Sequence, residues 1–361
     1  MVRIFSKSRP DGKLITDGDP LTHIMPYVMR GRNESCVYYH NPVDIDILQE
    51  YIRKKRREGK RITMFNLIIT ATLHVIYERP HLNRFISGRR LYSRNSFDVL
   101  YVVKKSMSDD AEESIARVSF DENDNIFTVT KAMGDIIESI KNGTADKWDD
   151  KLIAYLSKFP RWLLRFVASI LRWADFHGLL PESFMKILPM YSSVYVSHLG
   201  SIGGGSFFHH LYEFGNTSIF LTIGKVYEAP VKADDGGVEW HRFVDLNFSI
   251  DERICDGYYL VKSIKMLNDL LLVPEFLEYS PAMLKRLSKE ERRELRKKFK
   301  EARNQESHHH EGLISQEDVA DRLEIYGNVD TDETADETSD VISDVMSDET
   351  SDEGNKSAEQ A

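Results

Sequence analysis

The sequence predicts an α/β fold class, and the alternation of helical and extended stretches carries that prediction. Residues 64–77 are apolar almost all round, which is typical of a buried helix. Residues 97–104 and 115–120 are rich in the aromatic and β-branched side chains that favour strands. A helical stretch at 127–141 follows, and such alternation indicates helices packed on a sheet.

The N-terminal part of the chain is predicted to be less regular. Residues 1–19 contain several prolines and glycines, and we expect them to form an irregular arm. A strand is expected at 35–39 and a helix at 44–58, whose basic end at 53–57 suits the negative end of the helix dipole. No aromatic residues are interleaved with this basic run, so we interpret it as a solvated helix end rather than a nucleic-acid surface.

The net charge of −10 belongs to the C-terminal part of the chain. Residues 330–361 hold 12 Asp and Glu and one Lys, so removing them from the totals of 58 acidic and 48 basic residues leaves 46 against 47. We predict that residues 311–361 form a disordered acidic low-complexity tail. Residues 276–310 are predicted to form a charged helix, opened by a capping box from Ser288 to Glu291, and a polar linker with three solvated histidines at 308–310.

Several classes of protein are excluded by what the sequence lacks. Cys36 and Cys255 offer neither a disulfide framework nor the spacing of a metal site, so no metal is expected. The N-terminus lacks the apolar run of a signal peptide. The chain has no stretch of 18 uninterrupted apolar residues. We therefore expect a cytoplasmic protein.

Residues 152–176 form an unusually apolar stretch with two tryptophans. As a helix, the stretch would place Arg161, Arg165 and Arg172 within about 40° of one another. We expect this helix to pack within the fold, with the arginines reaching water along their apolar stems. A helix lying on a membrane surface is the alternative that the same pattern allows.

The most informative stretch runs from Ser249 to Tyr258 and reads Ser-Ile-Asp-Glu-Arg-Ile-Cys-Asp-Gly-Tyr. Chloramphenicol acetyltransferases and the catalytic domains of 2-oxoacid dehydrogenase dihydrolipoamide acyltransferases carry His-x-x-x-Asp-Gly after a strand. The lipoamide enzymes extend this signature to Asp-His-Arg-x-x-Asp-Gly. The stretch resembles that signature, with Glu252 in place of the catalytic histidine. The matching residues are Asp251, Arg253, Asp256 and Gly257.

Further motifs follow in the order that this family has. Residues 194–200 resemble a strand that ends in Ser-Asn-Leu-Gly, residues 201–205 resemble its glycine-rich turn, and residues 219–225 resemble a strand that ends in Gly-Lys. Upstream, residues 80–83 resemble the family's Pro-x-Leu-Asn. The resemblance covers residues 20–275. It implies a chloramphenicol acetyltransferase-like fold, with a two-layer mixed sheet and helices.

The resemblance also implies a structural ion pair. In this family the aspartate of the Asp-Gly pair binds an arginine from the N-terminal region. Asp256 takes the place of that aspartate, with Arg32 as its expected partner and Arg30 as the alternative. By position in the signature, Asp251, Arg253 and Gly257 are expected to support the site.

The family's oxyanion hydroxyl is expected on a neighbouring strand. Counting back from Leu199 assigns this role to Ser193, and Ser192 is the alternative if the register differs by one.

Glu252 decides the chemistry, because the family's histidine takes a proton from a thiol or hydroxyl acceptor. An ordinary histidine has a pKa about 2 units below that of a thiol, whereas an ordinary glutamate lies about 4 units below it. Burial could close most of that gap, and an amine acceptor would need less help. His198, His209 and His210 are substitute bases, and Cys255 is interpreted as a packing residue.

We therefore predict a stand-alone acyltransferase that moves an acyl group from a thioester, by resemblance acyl-coenzyme A, to an unidentified small-molecule acceptor. The alternative is a catalytically inactive relative that acts as a binding or scaffolding subunit. The resemblance implies a homotrimer with active sites between subunits. No lipoyl group is expected, because the sequence lacks the Asp-Lys-Ala hairpin of a lipoyl domain.

Overall fold

The computed structural model describes residues 8–104, 113–142, 158–233 and 236–288, with residues 290, 291, 294 and 297. The acidic tail, the histidines at 308–310 and residues 152–157 of the predicted apolar helix lie outside the described residues. The capping box at Ser288 is confirmed. Its hydroxyl accepts a hydrogen bond from the Glu291 N–H at 3.2 Å and donates one to the Glu291 carboxylate at 2.8 Å.

The described residues alternate between helices and strands. In chain order these are β1 (Ser8–Arg9), β2 (Gly12–Leu14), α1 (Pro20–Val28), β3 (Cys36–Asp44), α2 (Asp46–Arg57), α3 (Met64–Glu78), β4 (Arg84–Ser87), β5 (Arg90–Arg94), β6 (Phe97–Lys104), β7 (Glu113–Phe120), α4 (Ile126–Lys141), α5 (Arg161–Phe176), α6 (Glu182–Ile187), β8 (Val194–His198), β9 (Ile219–Lys232), β10 (Val238–Asp251), α7 (Gly257–Leu272) and α8 (Pro281–Arg286). Short 3-10 turns lie at Pro80–Asn83, Leu199–Ile202, Glu252–Ile254 and Pro274–Glu278.

A six-stranded mixed sheet forms the centre of the fold, with the strand order β3-β10-β9-β8-β6-β7. β8 pairs in parallel with β6 and β9, and the remaining neighbours pair antiparallel. The mixed sheet with its helices confirms the predicted α/β fold class. β9 and β10 are each 14 residues long, well beyond the predicted strands, because their pairing continues into the hairpin that joins them.

The two faces of this sheet differ in what covers them. On the core face, Leu221 and Phe248 pack with Leu73 of α3, Met133 of α4 and Leu267 of α7. This confirms the prediction that residues 64–77 form a buried helix. We call the other face the loop face, because Leu211, from the connection between β8 and β9, packs on it. Its apolar side chains are Leu100, Tyr195 and Phe220.

Within the predicted irregular arm, residues 8–14 form two short strands, and residues 15–19 have neither helix nor strand. β1 and β2 join β5 and β4 in a second sheet with the order β1-β2-β5-β4. Arg9 is buried and anchors β1, because its guanidinium donates to the carboxylates of Asp11 and Asp175, each at 2.9 Å. Strands of two and three residues are too short to produce a periodic pattern, so the sequence did not reveal them.

Helix α5 corrects the expectation for residues 152–176. In the structure the helix begins at Arg161, directly after Pro160, which fits the bias against helical backbone in the residue before a proline. The prediction that this helix packs within the fold is wrong for its aromatic face. Trp162, Phe166 and Trp173 are exposed, and Asp175 is its buried residue.

Gly200 and Gly224 explain two of the sequence motifs through packing. A Cβ on Gly200 would lie 2.2 Å from the Gly224 carbonyl oxygen, and one on Gly224 would lie 2.8 Å from the Ser206 nitrogen. The Lys225 N–H also donates to the Gly204 carbonyl at 2.8 Å. These glycines let three backbone segments stack, and the stack fixes the connection that covers the loop face.

We predict that Gly200→Ala lowers the free energy of unfolding by about 1–3 kcal/mol, because a new Cβ would force two backbones apart. Gly205→Ala is the matched control in the same turn, since a Cβ there meets no atom within 4 Å. Urea denaturation of both variants measures the difference. Equal losses in the two variants would show that the close approach at Gly200 is not what stabilises the turn.

Candidate functional site

The candidate site lies where β10 ends. The Asp251 N–H donates to the Ser218 carbonyl at 2.9 Å, and the Glu252 N–H donates to the Ser35 carbonyl at 3.0 Å. The turn is therefore tied to the strands on both sides of β10. Glu252 is exposed, so its carboxylate is presented outward from a fixed backbone.

A buried ion-pair cluster lies directly behind Glu252. Both oxygens of the Asp251 carboxylate accept hydrogen bonds from Arg253, from Nε at 2.8 Å and from Nη2 at 2.7 Å. The Arg32 Nε lies 4.0 Å from the same carboxylate. All three side chains are buried. A two-pronged arginine–carboxylate contact has a fixed geometry, so this cluster orients the turn that carries Glu252.

Arg32 joins three separate segments to the cluster. Its Nη2 donates to the Ile86 carbonyl at 2.6 Å, and its Nη1 donates to the Tyr212 and Glu213 carbonyls at 3.3 and 3.1 Å. Burial lowers the pKa of the Arg32 guanidinium, and the charge of Asp251 opposes that effect. The arginine expected from the N-terminal region is thus present, and it connects the small sheet, the covering connection and β10.

The expected ion pair between Asp256 and Arg32 is not formed, and this is a correction. Asp256 is exposed and caps α7, because its carboxylate accepts a hydrogen bond from the Tyr259 N–H at 2.8 Å. Arg30, the alternative partner, is exposed, and its N–H donates to Glu34. The 3-10 turn between Asp251 and Asp256 separates the two carboxylates, so the buried one takes the structural role. Gly257 is exposed and begins α7.

The Ser193 side chain, which is the expected oxyanion hydroxyl, is hydrogen-bonded within the chain. Its buried hydroxyl accepts a hydrogen bond from the Asp98 N–H at 3.1 Å and donates one to the Ser96 carbonyl at 3.3 Å. The alternative, Ser192, is bonded to the Thr217 hydroxyl at 2.9 Å. Both serines therefore hold the entry of β8 to neighbouring segments.

His198 lies far from Glu252 within one copy of the chain. His198 pairs with Ile223 of β9, and Ile223 pairs in turn with Leu246 of β10. Leu246 precedes Asp251 by five residues, which corresponds to about 17 Å along the strand. The His198 ring stacks on Phe65 at 5.3 Å on the core face, and burial lowers its pKa.

His209 lies closer to the end of β10 than His198 does, on the loop face. Its ring is parallel to that of Phe220 at 4.0 Å, and Phe220 pairs with Ser249, two residues before Asp251. One ring nitrogen of His209 lies 2.8 Å from the His210 carbonyl oxygen. His210 is exposed. The structure thus places one of the three histidines near the level of Glu252.

Three buried polar groups on the loop face were missed by the sequence analysis. They are the Thr222 hydroxyl, the Asn247 amide oxygen and the Ser249 hydroxyl, and each lacks a hydrogen-bond partner within the described residues. Their alternation with Leu221, Phe248 and Ile250 was the available signal, because alternate residues of a strand point to opposite faces. The Ser249 hydroxyl lies three residues before Glu252 on β10, whereas Thr222 is paired with Asn247, five residues before it.

His81 and Cys255 flank the same turn. Burial lowers the pKa of His81 to about 4, with Arg84 and Arg79 adding to the effect, and its ring stacks on Tyr259 at 4.4 Å. Burial raises the pKa of the Cys255 thiol to about 12, with Asp256 adding to the effect. A thiol that stays protonated is a poor nucleophile, which agrees with the interpretation of Cys255 as a packing residue.

One group of side chains has the spacing of metal ligands. Asp44, Asp46 and His241 bring ligand atoms within 4.8 Å of one another. However, Asp44 lies 2.5 Å from a ring nitrogen of His241, and Asp46 pairs with Arg242 at 2.5 Å. We interpret the group as an ion-pair cluster that holds the start of α2 to β10.

A shallow groove lined by Pro42, Tyr227 and Phe243 lies at the other end of β10. Phe243 precedes Glu252 by nine residues, or about 30 Å along the strand. This groove is therefore separate from the Glu252 turn.

One family model matches part of the chain. Residues 190–278, about a quarter of the chain, match the family model for the 2-oxoacid dehydrogenases acyltransferase catalytic domain. This stretch contains the Glu252 turn and relates it to acyltransferase catalytic domains. No curated protein matches the sequence.

Solved structures of low sequence identity resemble the chain. A probable dihydrolipoamide acetyltransferase from Listeria monocytogenes 4b F2365 is 16% identical, with a TM-score of 0.47, over 73% of this chain and 94% of that one. The cubic core of the pyruvate dehydrogenase multienzyme complex gives 16% identity and a TM-score of 0.46 over the same shares. A chloramphenicol acetyltransferase is 15% identical, with a TM-score of 0.45, over 72% of this chain and 99% of that one.

Proposed function

We propose that this chain is a thioester-dependent acyltransferase in which Glu252 is the general base. The observation that carries the proposal is the position of Glu252. It is exposed on a turn fixed by the buried Asp251–Arg253–Arg32 cluster, inside the stretch that matches the acyltransferase family model. Asp251, Arg253, Asp256 and Gly257 match the signature that the chain resembles. Glu252 occupies the position of the signature's histidine, and its carboxylate can also accept a proton.

In the proposed reaction, Glu252 takes the proton of the acceptor while the acceptor attacks the thioester carbonyl, by family resemblance that of acyl-coenzyme A. The tetrahedral intermediate carries a negative oxygen, which a hydroxyl donor stabilises. Thr222 and Ser249 have hydroxyls without partners in the described residues, whereas the Ser193 hydroxyl is already bonded. The intermediate then breaks its carbon–sulfur bond, and the leaving thiolate receives the proton from Glu252.

A second copy of the chain completes the site in this proposal. Glu252 is exposed in a single copy, and the groove described above is about 30 Å from it. The histidines and hydroxyls of the loop face lie further along the strands. A rotationally symmetric homotrimer, which the resemblance implies, can bring the Glu252 turn of one copy against the loop face of the next and remove its carboxylate from water. Burial of that kind makes a carboxylate a stronger base.

The test is acyl transfer by the purified full chain. Acyl-coenzyme A donors of several lengths are incubated with thiol and amine acceptors, and free coenzyme A is measured by chromatography. We expect Glu252→Gln to lower turnover at least a hundredfold, because the amide cannot take the proton. The exposed Glu50 of α2 provides the matched control, Glu50→Gln, which should keep full activity. Melting temperatures should be unchanged in both variants.

The alternative function is an inactive binding or scaffolding subunit, which the exposure of Glu252 and its distance from His198 favour. Turnover that is absent with every acceptor, in the natural chain and in Glu252→His, would establish this alternative. Activity that survives Glu252→Gln and is lost with His209→Asn would move the base to the loop face and contradict the proposal.

A further inference from the structure

Helix α5 presents a continuous apolar face to solvent. Trp162, Phe166, Ile170 and Trp173 recur at helical spacing and are between 46% and 70% exposed. At 100° per residue they lie within about 80° of one another, opposite the half-buried Leu171 that packs on the body of the protein. Single exposed apolar residues are ordinary, but a contiguous face of this kind marks an interaction surface.

Helix α1 exposes a second apolar face beside the first. The turn between β4 and β5 joins them, because Gly88 packs against the carbonyl of Phe176, the last residue of α5. In the same turn the Arg89 guanidinium lies 5.7 Å from the centre of the Tyr27 ring of α1. The apolar residues of α1 that are 55–64% exposed are Leu21, Ile24, Tyr27 and Val28.

Cations line this pair of faces. Arg161, Arg165 and Arg172 are exposed and follow one edge of the aromatic face, within about 40° of one another. Arg89, in the turn between β4 and β5, and Arg90, the first residue of β5, are also exposed. The surface therefore combines tryptophan and tyrosine rings with a rim of guanidinium groups.

The acidic residue of α5 does not offset this charge at the surface. Asp175 is buried, and its carboxylate accepts a hydrogen bond from Arg9 at 2.9 Å. Every exposed charged side chain of α5 is thus positive. The apolar side chains can insert among the lipid acyl chains, and the surrounding arginines can bind the anionic headgroups of a membrane.

We propose that α1 and α5 together form a docking surface for an anionic lipid membrane. The aromatic side chains reach the level of the headgroups, where tryptophan and tyrosine are most stable, and the arginines bind lipid phosphates. No helix among the described residues is long and apolar enough to cross a bilayer, so α5 lies along the surface. This surface is independent of the acyltransferase proposal.

The charge pattern favours lipid over a second copy of the chain. A two-fold contact through α5 would place the same patch of each copy against the other. The exposed Arg161, Arg165 and Arg172 rows would then face each other without a carboxylate from the helix, and like charges across an interface are unfavourable.

The test is flotation of the full chain with vesicles of phosphatidylcholine alone or of phosphatidylcholine with about one phosphatidylserine in three lipids. We expect binding to the anionic vesicles, weakened by salt. Replacing Arg161, Arg165 and Arg172 with Ala should weaken binding about a hundredfold, because each basic residue near such a surface contributes about a fivefold factor. Replacing Trp162, Phe166 and Trp173 with Ser should weaken it at least tenfold.

Matched controls lie elsewhere on the surface. Val238 and Trp240 are exposed apolar residues near the β9–β10 hairpin, and Arg53, Arg56 and Arg57 are exposed arginines at the end of α2. Replacing either set should leave vesicle binding unchanged. Absence of binding, or equal binding by all variants, overturns the proposal. Self-association that the aromatic triple variant abolishes, without vesicle binding, would instead assign the face to contacts between copies.

Discussion

Asp251→Ala should lower the free energy of unfolding by about 3–5 kcal/mol, because it leaves two buried guanidinium groups without their carboxylate. Arg253 would lose its three hydrogen bonds to Asp251, two from the guanidinium and one from the backbone N–H, and Arg32 would lose its nearest negative charge. Chemical denaturation followed by circular dichroism measures the change. Asp251→Ala is also expected to disorder the Glu252 turn and lower any acyl transfer.

Asp256→Ala is the matched control, and it separates the structure from the expectation based on family resemblance. Asp256 is exposed and caps α7, so its removal should cost about 1 kcal/mol, the usual effect of losing a helix cap. A larger loss from Asp256→Ala than from Asp251→Ala would reverse the assignment and restore Asp256 as the buried structural aspartate.

Glu252→His should increase transfer to thiol acceptors by ten- to a hundredfold, because an ordinary histidine is about 2 pKa units closer to a thiol than an ordinary glutamate is. Transfer to amine acceptors should change less, since a neutral amine attacks before it loses a proton. The measurement is the ratio of kcat/KM for a thiol to that for an amine, in Glu252→His and in the natural chain. Glu252→Gln, measured in parallel, reports the rate without a base.

The result that would contradict this prediction is an equal fall for both acceptor types in Glu252→His. That outcome would mean that the position needs a carboxylate for its charge or its shape rather than for its basicity. Because Glu252 is exposed and Arg253 is already bound to Asp251, a histidine at this position fits without new contacts in a single copy.

Residue roles assigned from the resemblance to the acyltransferase signature hold for some positions of this chain and not for others. Arg32 is expected to pair with Asp256, but in the structure its nearest carboxylate belongs to Asp251. The Asp-Gly pair was found at the expected position, yet Asp256 serves as a helix cap. The two aspartates are five positions apart, and the sequence pattern alone does not show which of them is buried.

The sequence by itself determined the α/β class and the main strands, because alternating and helical periodicities are local properties of the chain. The strand at Phe97–Lys104 was predicted to the residue, and the buried helix at Met64–Glu78 to within one residue. The Glu252 turn could also be located, since it directly follows a strand. The tertiary structure decided the partners and the exposure. Arg32 lies beside the carboxylate of Asp251, which is 219 positions away in the sequence. Arg9 donates a hydrogen bond to Asp175, which is 166 positions away. The aromatic face of α5 is exposed because no other described segment covers it, and periodicity reports an apolar face without showing what that face contacts.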